Sequence, residues 1–344
     1  MNILFAVQGT GNGHVSRARD VYPELCKYGN VDVLVSGIQA DVELPFPVKY
    51  RLYGMSFIFG KKGGVDIFQT IKRLNLVKLI KDIRTIPINQ YDLIINDFEP
   101  VSAWACKLKR ISCIGLSHQS AVLNERAPQP QIKDLKGELV LKHYAPVTDY
   151  YGFHFKAYGA NIFTPVIRSQ IREMQPDNLG HYTVYLPAYD DVMLLKHLSQ
   201  FSSINWQVFS KHNKQPLKQG NVSIQPIHND TFIKSMATST GVLCGAGFEG
   251  PAEALYLGKK LLVVPMHDQY EQQCNAAALA EMGVPVIKQL SAAYYSIIEG
   301  WLADTNVIKV DYPDQTAHII AELIKAHAYV AFARNKDRIP VIAS

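Results

Sequence analysis

Short, uninterrupted apolar runs recur along this chain with stretches of helical length between them, and that alternation admits few folds. In the first half, residues 2–7, 31–36, 48–53, 92–96 and 112–116 read as buried strands, while 14–28, 66–84 and 99–109 have helical length or spacing. Parallel neighbours need a crossover, usually a helix, so the pattern predicts strand–helix–strand units around a parallel sheet. The second half restarts the same grammar. Strands are expected at 182–187, 205–209, 222–225, 240–244 and 260–264, with helices near 190–200, 229–237, 250–257 and 269–282. Between the halves, Pro165, Pro176, Asp177, Asn178 and Gly180 suit a linker better than a packed element. The expected fold class is α/β, with two similar domains across a cleft. Residues 1–165 form the first, 166–180 the linker, 181–313 the second, and 314–344 carry a last amphipathic helix that returns toward the first.

Composition bounds what such a chain does. A length of 344 residues suits about two domains, and 48% hydrophobic against 19% charged residues excludes general disorder. The net charge of +5 is too small to mark a dedicated nucleic-acid binder, so no nucleic-acid partner is expected. Cys26, Cys106, Cys113, Cys244 and Cys274 include no C-x-x-C pair and no His at zinc-ligand spacing, so neither a disulfide framework nor a metal site is expected. The opening apolar run is too short for a signal-peptide core and no segment approaches 18 apolar residues. A cytoplasmic protein is expected, with peripheral contact to the inner membrane face left open.

Gln8-Gly9-Thr10-Gly11-Asn12-Gly13-His14 follows the first strand and opens a helix, where glycines let the backbone turn and aim amides outward. A dinucleotide fingerprint fits poorly: its third glycine would fall on His14, and the second strand ends at Val35-Ser36-Gly37 without an acidic residue for a ribose. The positive helix start disfavours imidazolium at His14, leaving a neutral ring able to accept a proton. Asp97 closes the fourth strand, and in the strand order 3-2-1-4-5 the carboxyl ends of strands one and four are neighbours. An Asp bonded to one ring nitrogen would fix the tautomer and steady the charge when the other takes a proton. Taken alone, Asp97 also reads as an N-cap for the helix at 99–109. His118, after the fifth strand, lies on the same edge as a further candidate for lining the site, with Gly11, Asn12 and Gly13 as loop residues.

The densest motif runs from Leu243-Cys244-Gly245-Ala246-Gly247-Phe248-Glu249-Gly250-Pro251-Ala252-Glu253 through Gly258 to Val264-Pro265. A strand enters a glycine loop, and Pro251 suits the first turn of the next helix, whose free amides can bind phosphate. Glu253, about one turn in, is placed to accept from ribose hydroxyls, although it would also favour the helix dipole. The polar loop His267-Asp268-Gln269-Tyr270-Glu271-Gln272 then opens another helix; Glu271 and Gln272 can accept from and donate to sugar hydroxyls.

Segment 243–277 resembles the nucleotide-sugar signature of GT-B glycosyltransferases: a glycine loop, a ribose-binding Glu, a strand ending in Pro, and an acidic-Gln pair followed by Asn275-Ala276. The loop Gly9–His14 resembles the first-domain loop of family 28 enzymes and UDP-glycosyltransferases. The resemblance implies two Rossmann-like domains, donor binding in the second through Gly245, Gly247, Phe248, Glu249, Gly250, Glu253, Glu271 and Gln272, and acceptor binding in the first. By position His14 corresponds to the base and Asp97 to its partner. Gly245 stands where many relatives have a phosphate-binding His, and Glu249 where Asn is usual, so phosphate binding rests on backbone amides and the donor stays open.

The expected activity is inverting, metal-independent transfer of a sugar from a nucleotide diphosphate donor, a UDP-sugar, to a hydroxyl acceptor. The nucleotide-sugar is a co-substrate and no cofactor is expected; no D-x-D sequence occurs. Residues 57–84 interleave Lys61, Lys62, Lys72, Arg73, Lys78, Lys81 and Arg84 with apolar residues. Such a stretch can rest on an anionic bilayer, which motivates a lipid-linked acceptor or an envelope glycolipid, or it packs on its own domain as a solvated helix. Two alternatives have different requirements: a nucleotide-sugar epimerase of the same fold needs no acceptor, and a non-catalytic nucleotide-sugar-binding subunit needs no base.

Overall fold

The computed structural model describes residues 1–10, 12–37, 44–55, 75–132 and 134–336. Strands β1 (Asn2–Gln8), β2 (Asn30–Ser36), β3 (Tyr50–Leu52), β4 (Leu93–Asp97), β5 (Ile114–Ser117), β6 (Asp149–Phe153) and β7 (Ile162–Phe163) form a parallel sheet in the order β3-β2-β1-β4-β5-β6-β7. A second sheet holds β8 (His181–Tyr185), β9 (Asn205–Ser210), β10 (Leu217–Gln219), β11 (Val222–Pro226), β12 (Gly241–Gly245) and β13 (Lys260–Val264), ordered β10-β11-β9-β8-β12-β13. It is parallel except at the β10–β11 edge. These are the two Rossmann-like sheets of the GT-B fold.

Helices in the amino-terminal half are α1 (Asn12–Cys26), α2 (Leu76–Thr85), α3 (Pro100–Lys109), α4 (His118–Val122), α5 (Leu135–Tyr144) and α6 (Ser169–Arg172). They are followed by α7 (Asp191–Leu198), α8 (Asn229–Thr238), α9 (Glu249–Tyr256), α10 (Tyr270–Glu281), α11 (Tyr295–Ala303) and α12 (Thr316–Lys336). Central strands are apolar throughout because helices cover both faces. Alternate residues of β1 separate accordingly: Ile3, Phe5 and Val7 pack with Ala18, Val21 and Leu25 of α1, while Leu4 and Ala6 pack with Ala103 and Cys106 of α3.

The last helix docks where the sequence left it unspecified. Ile319, Ile320 and Leu323 of α12 join the α1 side of the first sheet's core. Segment 165–180 is also more than a tether: Val166, Ile167 and Ile171 are buried, and Asp177 and Leu179 donate backbone hydrogen bonds to Ala237 and Thr238. Its turn-forming prolines and glycine flank apolar residues that pack into the core. Strands β6, β7 and β10 and helices α4, α5, α6 and α11 fall outside the expected elements. Of the basic stretch 57–84, residues 57–74 lie outside the described residues.

Candidate active site

His14 stands in the first turn of α1, and β1 pairs with β4 so that Val7 lies opposite Asp97. This register brings the two side chains together, with His14 Nδ1 2.7 Å from Asp97 Oδ1. The carboxylate accepts, so Nδ1 carries the proton and Nε2 is left as the acceptor. Gln119 Nε2 lies 3.3 Å from that nitrogen and also donates to Glu271 Oε2 at 3.0 Å. An imidazole of the first half and a carboxylate of the second therefore share one amide group.

Asp97 is free for this role because the cap it might have supplied comes from elsewhere. Glu99, fully buried, accepts from the backbone amides of Val101 and Ser102 at the start of α3. Phe98, between them, takes a left-handed φ of 55°, costly for a bulky residue, and its ring lies stacked near His14 and against Tyr144.

Arg17, one turn after His14, is the residue that sequence reasoning missed. Its guanidinium, 2% exposed, donates to both oxygens of Asp97, at 2.6 and 2.9 Å from Nη2, and to Glu249 of α9 through Nη1. A signal existed: a basic residue three positions from His14 shares its helix face. Burial disfavours protonation of His14, but the charge and hydrogen bond of Asp97 outweigh it and raise its pKa above the ordinary imidazole value. Burial likewise pushes the Asp97 carboxyl up, and Arg17 with His14 more than reverses this, so its pKa is lowered.

In the second half, β12 ends at Gly245 and α9 begins at Glu249. Phe248 caps α9 without a side-chain hydrogen bond to its amides, and a Cβ on Gly247 or Gly250 would meet nothing within 4 Å, so the loop borders open space. Gly13 faces this loop directly; a Cβ there would meet the end of the Glu249 side chain, so a larger residue would displace that carboxylate. Asn12 opens α1 beside it, and Gly11 lies outside the described residues.

Four of the expected site residues have protein partners in this structure. Glu253, expected at a ribose, is 2% exposed and both its oxygens accept from Arg168, the second at 2.7 Å from Nη2. Arg168 belongs to the segment expected to be a linker. His118 is no free ring: Nδ1 bonds the Phe153 carbonyl and Nε2 the Asn275 side chain, each at 2.7 Å, and burial lowers its pKa. Phe248 is buried beneath it, ring centroids 3.8 Å apart, so this pair forms a strut between the halves. Gln272 is mostly buried, and its Oε1 accepts from the Met266 amide, holding the loop after β13. Glu271 alone of the acidic-Gln pair reaches toward His14, through Gln119.

The sequence matches the profile of glycosyl transferase family 1 over residues 1–303. No curated protein matches it significantly. Among solved structures it is similar to a UDP-glucosyltransferase from Polygonum tinctorium capable of glucosylating indoxyl, with TM-score 0.56 and 14% identity over 97% of each chain. MurG of Acinetobacter baumannii is similar with TM-score 0.51 and 16% identity, covering 97% of this chain and 99% of that one. A UDP-N-acetylglucosamine 2-epimerase reaches TM-score 0.56 at 15% identity, covering 96% and 97%. At these identities the structural likenesses speak to the fold.

Proposed function

This chain belongs to glycosyl transferase family 1, and we propose that it moves a sugar from a nucleotide diphosphate donor, a UDP-sugar, to an acceptor hydroxyl with inversion at the anomeric carbon. The observation that carries this reading is the His14–Asp97 pair, 2.7 Å apart, with the second-half motif in contact through Gln119 and Arg17. His14 Nε2 takes the proton as the acceptor oxygen attacks. The bond from anomeric carbon to diphosphate oxygen breaks with its electron pair on the oxygen, and Asp97 steadies the imidazolium formed. Amides of Gly247 to Gly250 at the start of α9 stabilise the departing diphosphate without requiring a divalent ion.

The acceptor is lipid-linked or an envelope glycolipid, and the protein rests on the inner membrane face. Support comes from α2, where Leu76, Val77 and Ile80 are exposed beside Lys78, Lys81 and Arg84 while Leu79 packs inward. Among the described residues no helix is long and apolar enough to cross a membrane. Sedimentation with anionic vesicles should weaken for Lys81→Glu with Arg84→Glu; unchanged binding removes the membrane contact.

The catalytic test is His14→Ala. Turnover should fall by about 100-fold or more with donor affinity nearly intact, whereas an equal loss of donor binding would remove His14 from the base role. Labelled UDP-sugar incubated without acceptor should not yield an epimer; an epimer would favour the alternative chemistry.

A further inference from the structure

The charges around His14 do not suit a diphosphate as they stand. Among the described residues Arg17 is the cation hydrogen-bonded to both Asp97 and Glu249, the charge of Arg168 also acts on Glu249, and Glu271 lies one amide away from His14. Asp97, Glu249 and Glu271 therefore cluster around Arg17 and His14, at the place where a multiply charged leaving group must develop further negative charge. Like charges so close cost binding free energy that water screens poorly at a buried site.

Glu249 is the carboxylate that can leave. Its side chain is 22% exposed, whereas those of Asp97 and Arg17 are each 2% exposed. It opens α9 and lies against the Gly13 backbone in the first turn of α1, so it is an anion held between two helix starts and a guanidinium. A phosphate would find the same three attractions there. The neighbouring positions Gly247 and Gly250 give it room.

We propose that Glu249 occupies the diphosphate seat in the free protein and that the donor displaces it from Arg17, which becomes a ligand of the diphosphate while keeping Asp97 ionised. This rests on the donor reading above. Because Arg17 and Glu249 belong to different sheets, the exchange also trades a bond between the halves for one through the donor, so that filling the site and holding the halves together become one event. An Asn at this position would bring no charge to displace; Glu249 makes donor entry a competition.

Calorimetric titration of UDP, UMP and uridine into the full chain and into Glu249→Gln tests this. The variant should bind UDP about tenfold tighter or more, a change of about 1.4 kcal/mol, UMP less so, and uridine as before. The gain should vanish when Arg17→Lys is added, since an ammonium cannot bridge Asp97 and a phosphate in the bidentate manner of a guanidinium. Equal or weaker UDP binding by Glu249→Gln overturns the proposal and makes Glu249 a donor ligand or a structural tie. A gain that survives Arg17→Lys overturns the role of Arg17. If the full chain and the variant both fail to bind UDP, the donor reading fails and this inference with it.

Discussion

Two buried arginine–carboxylate pairs, built alike, are used differently. Arg168 closes on both oxygens of Glu253 and, among the described residues, adds Asn229 as a further side-chain bond, so the pair ties segment 165–180 to α9. Arg17 also grips both oxygens of Asp97, but one of these is shared with His14, and the guanidinium reaches on to Glu249. A carboxylate whose oxygens are spent on one partner holds structure. A carboxylate that keeps a bond for an imidazole can tune it.

The largest expected effect treats the pairs alike. Replacing either arginine by methionine leaves a buried carboxylate uncompensated and should cost about 3–5 kcal/mol in denaturant unfolding. Only Arg17→Met should also disturb the acid limb of the rate profile; an equal disturbance from Arg168→Met would erase the distinction. Next, Glu253→Gln should leave UDP affinity within about threefold, about 0.6 kcal/mol. A tenfold loss would mean that Glu253 leaves Arg168 to hold the ribose after all.

How much of this was legible depends on whether a strand-order rule links the two positions, since both pairs are separated by similar lengths of chain. His14 and Asp97 could be paired because each ends a strand or begins a helix, and the strand-order rule makes β1 and β4 neighbours. Their register, Val7 opposite Asp97, does the rest. Arg168 and Glu253 are 85 residues apart, and nothing local in Val166-Ile167-Arg168 foretells a partner in α9. His118 looked like a site residue because it follows a strand; its burial against Phe248 and Asn275 depends on how the halves meet, which no periodicity encodes. Glu99 shows the same limit in reverse, since its capping bonds freed Asp97 for the imidazole.

A smaller effect sharpens the link between halves. Gln119→Leu removes the amide shared by His14 and Glu271 and should slow turnover by about three- to tenfold, the worth of about 0.5–1.5 kcal/mol for one hydrogen bond. Donor affinity that falls while turnover holds would place Gln119 on the Glu271 side alone.

The central claim is that an imidazole held by Asp97 is the base, and the pH dependence of kcat/KM tests it most directly. The base must be neutral, so the rate falls as pH drops through its pKa, which Asp97 holds above the ordinary imidazole value. In Asp97→Asn the raising charge is gone and burial lowers that pKa, so the acid limb should move to lower pH while the plateau rate declines. An acid limb that stays in place in Asp97→Asn would contradict the account.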